Sequence, residues 1–260
     1  MSFQPPKSLN VLLLGDSCLD IYHYGSCNRI SPEAPVPVFV EDEIEVRHGM
    51  ALNVYLNLLA FGLAVECMIG DTEVEKHRYI DFKSKQHLLR VDLNEHEETG
   101  VFKFDERMMG DVDIVVISDY NKGFLHPGAC SSLTRYCFDK NIPVFVDSKK
   151  KDLSCFENCI LKINKNEYEE VVQYPNNYDL IVTLGAEGTL YKGEIYDTKQ
   201  VEVFDVCGAG DVFISSLVYK YMQHGDMIKA IEFANKCAAH SVTKFGTYVL
   251  TEEDVNDLCV

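Results

Sequence analysis

Basic residues are scarce in this sequence. It has 24 Lys and Arg against 41 Asp and Glu over 260 residues, a formal net charge of −17. Such an excess of negative charge repels nucleic acids and anionic membrane surfaces, so we expect neither as a partner. It also makes each Lys or Arg inside a motif informative, because an anionic substrate needs a local positive pocket within a repelling field.

Long apolar runs and paired cysteines are missing as well. The first ten residues are polar, and the nearby run Val11–Leu14 is too short for a signal peptide or a membrane helix. The ten cysteines form no C-x-x-C pair, which speaks against a zinc site. Without a secretory signal, so many cysteines indicate a reducing compartment. We therefore predict a cytoplasmic protein whose cysteines are mostly buried apolar residues.

No internal repeat or low-complexity linker interrupts the chain. Apolar residues make up 47% of the sequence, which at this length is enough for one large hydrophobic core. These features predict a single α/β domain over residues 1–260, with no second domain joined by a tether.

The most informative stretch runs from residue 203 to residue 213, V-F-D-V-C-G-A-G-D-V-F. We predict an apolar strand end that leads into Gly208, Ala209 and Gly210 and then into a helix. The backbone N–H groups and the helix dipole would face an anion, which glycine lets the backbone approach closely. Asp211 would accept a proton from an incoming hydroxyl, as phosphoryl transfer to an alcohol requires. A helix start whose Asp211 only complements the dipole is the simpler alternative.

Two carboxylates, Asp16 and Asp20, directly follow the buried strand predicted for Asn10–Gly15. Ligands of open α/β sheets bind at the carboxyl ends of the strands. Ionised carboxylates accept hydrogen bonds from sugar hydroxyls, so the pair suits a sugar site. A turn with a capping aspartate explains the two residues equally well.

These motifs together resemble those of the ribokinase-like (PfkB-type) carbohydrate kinases. The segment 205–211 is similar to the family's D-x-x-G-A-G-D motif, whose last aspartate is the catalytic base and whose glycine amides form the anion hole. Two further segments resemble the bacterial D-glycero-D-manno-heptose-7-phosphate kinases, which are commonly the N-terminal half of a bifunctional ADP-heptose synthase. They are R-I-S-P-E-A-P-V-P-V at 29–38 and S-D-Y-x-K-G at 118–123.

The resemblance implies a ribokinase-like three-layer sandwich with a mostly parallel central sheet and a small β-hairpin lid. The lid would include about residues 21–47 and 77–93. Only a few residues separate Asp71 from the predicted hairpin, whereas the family has a crossover helix and another strand there, so we predict that one edge βα unit is missing. In the family this lid can also serve as a dimerisation flap, which makes a homodimer through the lid an expectation.

The resemblance also implies a set of binding residues. The expected acceptor-binding residues are Asp16, Asp20, Arg29, Gly49, Asn53, Arg90, Asp119, Lys122 and Lys149. The expected nucleotide-binding residues are Asn164, Glu167, Thr183, Gly185, Gly188 and Asn235. Glu167 would organise Mg²⁺ through water, and the backbone of Asp205 and Cys207 would hold a monovalent cation such as K⁺. The pair Asn164 and Glu167 has a second explanation, since Asn at the N-cap and Glu at N3 form a capping box.

The chain departs from the family pattern at two places. Met50 stands where the family has the second glycine of G-G-x-x-N, which puts a side chain where the backbone usually approaches the sugar. Val206 and Cys207 replace the usual threonines of the anion-hole motif. Because Cys207 lies near a helix N-terminus, we expect its thiol to form a reactive thiolate if exposed.

The predicted function is transfer of the γ-phosphoryl group of ATP to the anomeric hydroxyl of a heptose 7-phosphate, a step of the ADP-heptose pathway. The expected partners are ATP with Mg²⁺, a sugar phosphate and a separate nucleotidylyltransferase. Arg29, Lys122 and Lys149 would hold the phosphate of the acceptor. Two alternatives stay open, a kinase of the same fold for another sugar or sugar phosphate, and a sugar- or nucleotide-binding regulatory protein with weak catalysis.

Overall fold

The fold was analysed in a computed structural model that describes residues 9–70, 74–95 and 100–259. The strands are β1 (Asn10–Gly15), β2 (Ser17–Ile30), β3 (Pro37–Met50), β4 (Ala64–Ile69), β5 (Val74–Asp81), β6 (His87–Leu93), β7 (Ile114–Asp119), β8 (Val144–Ser148), β9 (Cys159–Asn164), β10 (Tyr178–Thr183), β11 (Thr189–Tyr191) and β12 (Glu194–Tyr196). The α-helices are α1 (Ala51–Ala60), α2 (Pro127–Lys140), α3 (Lys165–Glu170), α4 (Ala209–His224), α5 (Met227–Ser241) and α6 (Glu252–Leu258). None of these helices is long and apolar enough to cross a membrane.

A central sheet of eight strands separates two hydrophobic cores. Its order is β12-β11-β10-β9-β8-β7-β1-β4, and all neighbours pair in parallel except in the hairpin β10-β11-β12. Side chains of β1 alternate between its faces, so that Val11 and Leu13 pack with α1, α4 and α5. Leu12 and Leu14 pack with α2 on the opposite face. The predicted three-layer sandwich is confirmed, because a strand buried on both faces needs a helical layer on each side.

The lid is a second sheet that grows out of the carboxyl edge of the first. Its order is β3-β2-β5-β6, and β2 follows β1 after one residue. β4 forms an edge of the central sheet, and the next described strand, β5, already belongs to the lid. Only residues 70–73 lie between them, of which 71–73 are outside the described residues. This arrangement agrees with the predicted loss of an edge βα unit.

The stretch before the glycine motif is not a strand, contrary to prediction. Residues 201–206 have no regular secondary structure, and Val203, Phe204 and Val206 are more than half exposed. The backbone N–H groups of Phe204 and Asp205 donate to the carbonyl of Val242 at the end of α5, at 2.8 and 3.3 Å. A helix end therefore satisfies this backbone in place of a neighbouring strand, which the apolar pattern could not reveal.

Candidate active site

The glycine motif forms the first turn of α4, as predicted. Gly208 has φ +75°, which disfavours any residue with a side chain, and a Cβ at this position would lie 2.6 Å from Nδ2 of Asn53. A Cβ at Gly210 would lie 2.9 Å from Nζ of Lys162. Both glycines therefore let neighbouring side chains approach the backbone closely. The positive dipole end of α4 lies at the same turn.

A cleft of about 440 Å³ opens in front of this turn. It collects most of the residues expected at the nucleotide, together with Lys149 from the acceptor set. Its lining includes Lys149, Asn164, Thr183, Gly185, Gly188, Gly208, Ala209, Gly210 and Asn235. The lining also includes a group of apolar residues, Val201, Val203, Ala238, Ala239 and Val242. The combination suits a ligand that has a planar apolar part and an anionic part.

Asp211 lies at the start of α4 and is buried. One carboxylate oxygen accepts a hydrogen bond from Nδ2 of Asn53 at 2.9 Å, and the other accepts one from the hydroxyl of Tyr120 at 3.0 Å. Burial raises the pKa of Asp211 to about 6, with the hydrogen bond from Asn53 opposing the rise and the nearby Asp147 adding to it. The group is thus mostly ionised at neutral pH and basic enough to accept a proton.

Asn164 and Glu167 form the capping box of α3, so the simpler of the two explanations holds for their positions. The side chain of Asn164 accepts from the N–H of Glu167 at 3.0 Å, and the carboxylate of Glu167 accepts from the N–H of Asn164 at 2.8 Å. Glu167 also pairs with Lys149. Because both of its carboxylate oxygens already accept hydrogen bonds, Glu167 fits contact with Mg²⁺ through water better than direct ligation.

Asp147 and Lys162 were not among the expected binding residues, yet both line the cleft. Oδ2 of Asp147 accepts from Nζ of Lys162 at 2.6 Å, and Oδ1 lies 3.7 Å from Nζ of Lys149. Burial raises the pKa of Asp147, but the two lysines outweigh it and hold the pKa below its ordinary value. Oδ1 is buried and has no hydrogen-bond partner in the described part of the chain, so it suits a cation or a cation-bound water.

Most of the residues expected at the acceptor lie at the ends of β1 and β7 and in the lid; this region is called the acceptor side below. Oδ2 of Asp16 accepts from the backbone N–H groups of Tyr120 at 2.8 Å and Lys122 at 3.2 Å. Oδ1 is buried and has no partner among the residues described. Burial raises the pKa of Asp16. Asp16 thus keeps one acceptor oxygen open while its other oxygen fixes the loop after β7.

Asp20 is tied to two residues that the motif analysis did not include in the acceptor set. Arg78 of β5 donates to its Oδ1 at 2.6 Å, and the hydroxyl of Thr247 donates to its Oδ2 at 3.0 Å. The hydroxyl of Tyr22 contacts Thr247 Oγ1 at 2.9 Å. Asp20 therefore joins the lid to the loop after α5.

The other residues expected to bind the acceptor do not form one cluster. Asn53 is buried against Asp211, and Gly49 lies in β3 opposite Cys18. Asp119 is buried and pairs with Lys150 and the hydroxyl of Ser148. Lys122 pairs with Glu95 at 3.0 Å, and Arg90 is an exposed residue of β6 that pairs with Asp92 at 2.6 Å.

Arg29 does not reach the cleft, which corrects the predicted cluster of Arg29, Lys122 and Lys149. It is exposed near the far end of β2, nine residues beyond the buried Asp20. At about 3.3 Å per residue, that strand length separates the two by roughly 30 Å. Residues 31–36 of the proline-rich motif form the connection between β2 and β3 at the lid tip, and this position in the fold removes Arg29 from the acceptor.

Met50 has a backbone conformation that is unusual for a residue with a side chain. Its φ of 56° and ψ of −133° lie in a region that favours glycine. Its side chain is buried in a cluster with Cys18 and Val74, against which Tyr120 packs. The expected intrusion on the acceptor side thus takes the form of an apolar side chain next to the tyrosine that holds Asp211.

Cys207 is not the activated thiol that its position suggested. Burial, together with the hydrogen bond to the carboxylate of Asp205, raises its pKa to about 12. Both carboxylate oxygens of Asp205 accept backbone bonds, from Cys207 N at 2.9 Å and Gly246 N at 3.0 Å. Asp205 therefore clamps two loops together. A monovalent cation at this place would fit only backbone carbonyls.

Three comparisons with known proteins agree with this geometry. The model of the pfkB family of carbohydrate kinases matches residues 106–254. The protein called "Bifunctional protein HldE" is 33% identical in Campylobacter curvus and 30% identical in Coxiella burnetii. These alignments cover 97% and 94% of this chain, but only 65% and 62% of those proteins. The chain thus spans about two thirds of the length of these relatives.

Solved structures show the same fold at low sequence identity. Phosphofructokinase-2 from Escherichia coli, in complex with potassium, gives a TM-score of 0.73 at 15% identity, covering 96% of this chain and 97% of that one. Ribokinase from Thermotoga maritima gives a TM-score of 0.65 at 17% identity, covering 96% and 99%.

Proposed function

Because this chain belongs to the pfkB family of carbohydrate kinases and is a phosphotransferase that acts on a sugar hydroxyl, we propose that it phosphorylates the anomeric hydroxyl of a heptose 7-phosphate with ATP. The observation that carries the proposal is Asp211, a buried carboxylate with a pKa of about 6 beside Gly208 and Gly210. The heptose-kinase motifs at residues 29–38 and 118–123 and the similarity to HldE proteins support the acceptor.

In the proposed reaction the chain contributes orientation, charge and a base. The purine of ATP would pack against the apolar residues of the cleft. The phosphates of ATP would point toward Gly208–Gly210. Asn53 and Tyr120 hold Asp211, which takes the proton of the acceptor hydroxyl as that oxygen attacks the γ-phosphorus. Mg²⁺ brought by ATP would be held by Oδ1 of Asp147 and, through water, by Glu167, and would neutralise phosphate charge.

Two basic residues of β5 support a phosphorylated acceptor in place of the cluster first expected. Lys76 and Arg78 are two residues apart and share a face of the strand, and Arg78 contacts Asp20 on the acceptor side. Nε of Arg78 is buried and has no hydrogen-bond partner within the described ranges. A buried guanidinium with an open donor suits a phosphate oxygen, since it can bind in a bidentate manner.

The exposed face of the lid supports the proposed homodimer. Four large apolar side chains on one face of the lid sheet are more than two-fifths exposed; they are Ile44, Val46, Leu89 and Leu93. Apolar patches of this kind on a sheet are typical of a surface that is covered by a partner.

The test compares kcat/KM for heptose 7-phosphate with that for the unphosphorylated heptose. We expect the parent protein to prefer the phosphorylated sugar, and Arg78→Met to reduce that preference about ten- to a hundredfold, since a charge-assisted hydrogen bond contributes roughly 1.5–3 kcal/mol. Arg107→Met is the control, because Arg107 is fully exposed beside Asp105. A parent that prefers the unphosphorylated sugar would refute the heptose phosphate. If only Arg90→Met lost the preference for the phosphorylated sugar, Arg90 would bind the acceptor, as the sequence analysis expected, and Arg78 would not.

Met50 favours one second candidate, a kinase of the same family for another sugar or sugar phosphate. Its side chain fills space beside Cys18 and Tyr120 on the acceptor side, where the family has glycine. ATP consumption across a panel of sugars and sugar phosphates separates the two candidates, because the heptose proposal requires the highest kcat/KM for heptose 7-phosphate.

A further inference from the structure

Lys162 is a buried lysine in the middle of the central sheet. It lies in β9 between Asp147 of β8 and Ile181 of β10, and only 2% of its surface is exposed. Lysine is almost never buried to this extent unless its charge is paired. The pair is present, since Nζ donates to Oδ2 of Asp147 at 2.6 Å. Retaining a charge here needs a reason, because burying an ion pair costs about as much as it returns.

The ammonium group of Lys162 reaches the glycine turn that faces the cleft. Its Nζ lies 2.9 Å from the position that a Cβ of Gly210 would occupy, and Lys162 itself lines the cleft. An alanine at residue 210 would therefore displace the lysine. The positive end of α4 and a formal positive charge converge on one point.

The hydrogen bond of Lys162 to Asp147 does not use all the N–H donors of its ammonium group. An ammonium group has three N–H donors. In the described part of the chain Lys162 donates once, to Asp147, which also lies 3.7 Å from Lys149. Lys149 has Glu167 as a second partner. The donors of Lys162 that Asp147 does not take are thus available to a ligand in the cleft.

We propose that the ammonium group of Lys162 contacts the terminal phosphates of ATP and acts as a catalytic residue. The assignment rests on the proposed use of ATP. In the transfer, the bond between the γ-phosphorus and the oxygen that bridges it to the β-phosphate breaks, and a bond from the acceptor oxygen to the γ-phosphorus forms. The acceptor proton goes to Asp211, and ADP leaves with the bridging oxygen. Lys162 neutralises the negative charge that grows on that oxygen.

A purely structural role would have a different signature. In that case Lys162 would only compensate the buried charge of Asp147, and adding Lys162→Met to Asp147→Asn would cost no further activity. The double variant Asp147→Asn/Lys162→Met, compared with Asp147→Asn alone, separates the two roles. Our assignment expects the double variant to be slower than Asp147→Asn, because the charge opposite the phosphates is missing as well.

The experiment uses the full chain and measures nucleotide binding as well as turnover. Lys162→Met is compared with the parent, with Lys162→Arg and with Lys151→Met, a control whose lysine is exposed and paired with Glu170. Calorimetry with Mg²⁺ gives the affinity for a non-hydrolysable ATP analogue and for ADP without any sugar. We expect Lys162→Met to lower kcat by about 10²–10³-fold. It should weaken the ATP analogue more than ADP, and Lys162→Arg should keep more activity than Lys162→Met.

Three results would overturn the assignment. The first is unchanged binding and turnover in Lys162→Met, and the second is equal activity in the double variant and in Asp147→Asn alone. The third is a parent protein that binds neither nucleotide, which would refute the proposed use of ATP together with this role. Binding in the parent therefore distinguishes a failure of Lys162 from a failure of the proposed function. If Lys162→Met does not fold, the double variant and Lys162→Arg decide the question by the same measurements.

Discussion

The two sides of the active site differ in how their polar groups are used. On the nucleotide side, backbone and small residues such as Thr183, Gly185 and Gly188 border an open cleft. On the acceptor side, the polar side chains bind one another, so that Asp20 holds Arg78 and Thr247 while Asp211 holds Asn53 and Tyr120. In the proposed reaction a nucleotide would enter an open space, whereas a sugar would have to compete with contacts that already exist. The acceptor side is therefore where selectivity can be set by the cost of breaking those contacts.

The largest expected effect separates the base from both binding regions. Asp211→Asn should lower kcat by at least about 10²–10⁴-fold, because it removes the proton acceptor. Affinity for an ATP analogue should stay within a few-fold of the parent. Burial raises the pKa of Asp211, so ionising it opposes folding, and the variant should not have a lower Tm at pH 7. Substantial remaining turnover would place the base elsewhere.

Gly208 lies where the nucleotide side meets the acceptor side, and we call it the joint. A substitution of Gly208 should have the next largest effect. Gly208→Ala puts a Cβ 2.6 Å from Nδ2 of Asn53 and 2.9 Å from Cγ2 of Thr247, in a backbone conformation that disfavours it. We expect a loss of about 1–3 kcal/mol in the free energy of unfolding. We also expect a clear loss of kcat/KM for the acceptor. Chemical denaturation measures the first effect and steady-state kinetics the second. Gly193→Ala, at a positive φ in an open hairpin turn, is the control for backbone strain alone. Equal effects on turnover in both variants would contradict a specific joint at Gly208.

The pH dependence should report Asp211. Its pKa is raised to about 6, so the base is protonated and inactive below that pH. We expect kcat/KM for the acceptor to fall about tenfold per pH unit below pH 6 and to level off above it. Nucleotide affinity measured over the same range provides the comparison. A rate that stays constant down to pH 4.5 would show that the ionised Asp211 is not required.

The smallest effect is expected from restoring the family's glycine on the acceptor side. Met50→Gly relieves a backbone conformation that favours glycine and removes a side chain packed against Tyr120. Strain relief and the lost packing oppose each other, so stability should change by about 2 kcal/mol or less. KM for acceptors should change while nucleotide affinity does not, and bulkier sugars should gain most in a substrate panel. An altered nucleotide affinity would mean that the two sides are not separable.

Local signals in the sequence were sufficient for most of the fold. An apolar run predicted the strand that became β1, and the capping pair Asn164 and Glu167 marked the start of α3. The anion-hole motif correctly located the start of α4, and the short link after Gly70 indicated the missing unit. Such features depend on neighbours within a few residues, and a sequence pattern predicts structure over that range. The apolar run before Gly208 failed because its backbone partner, Val242, lies far along the chain.

By itself, the sequence determined the order of the elements, the glycine turn and the carboxylate at its end, because each is a property of a short continuous segment. The tertiary structure alone decided which charges face the ligands. It removed Arg29 to the lid tip, brought Arg78 to Asp20, and set Lys162 beside Gly210. Asp20 and Thr247 are 227 residues apart yet share a hydrogen bond. Contacts at that separation follow from strand order and lid pairing, and no local pattern encodes them.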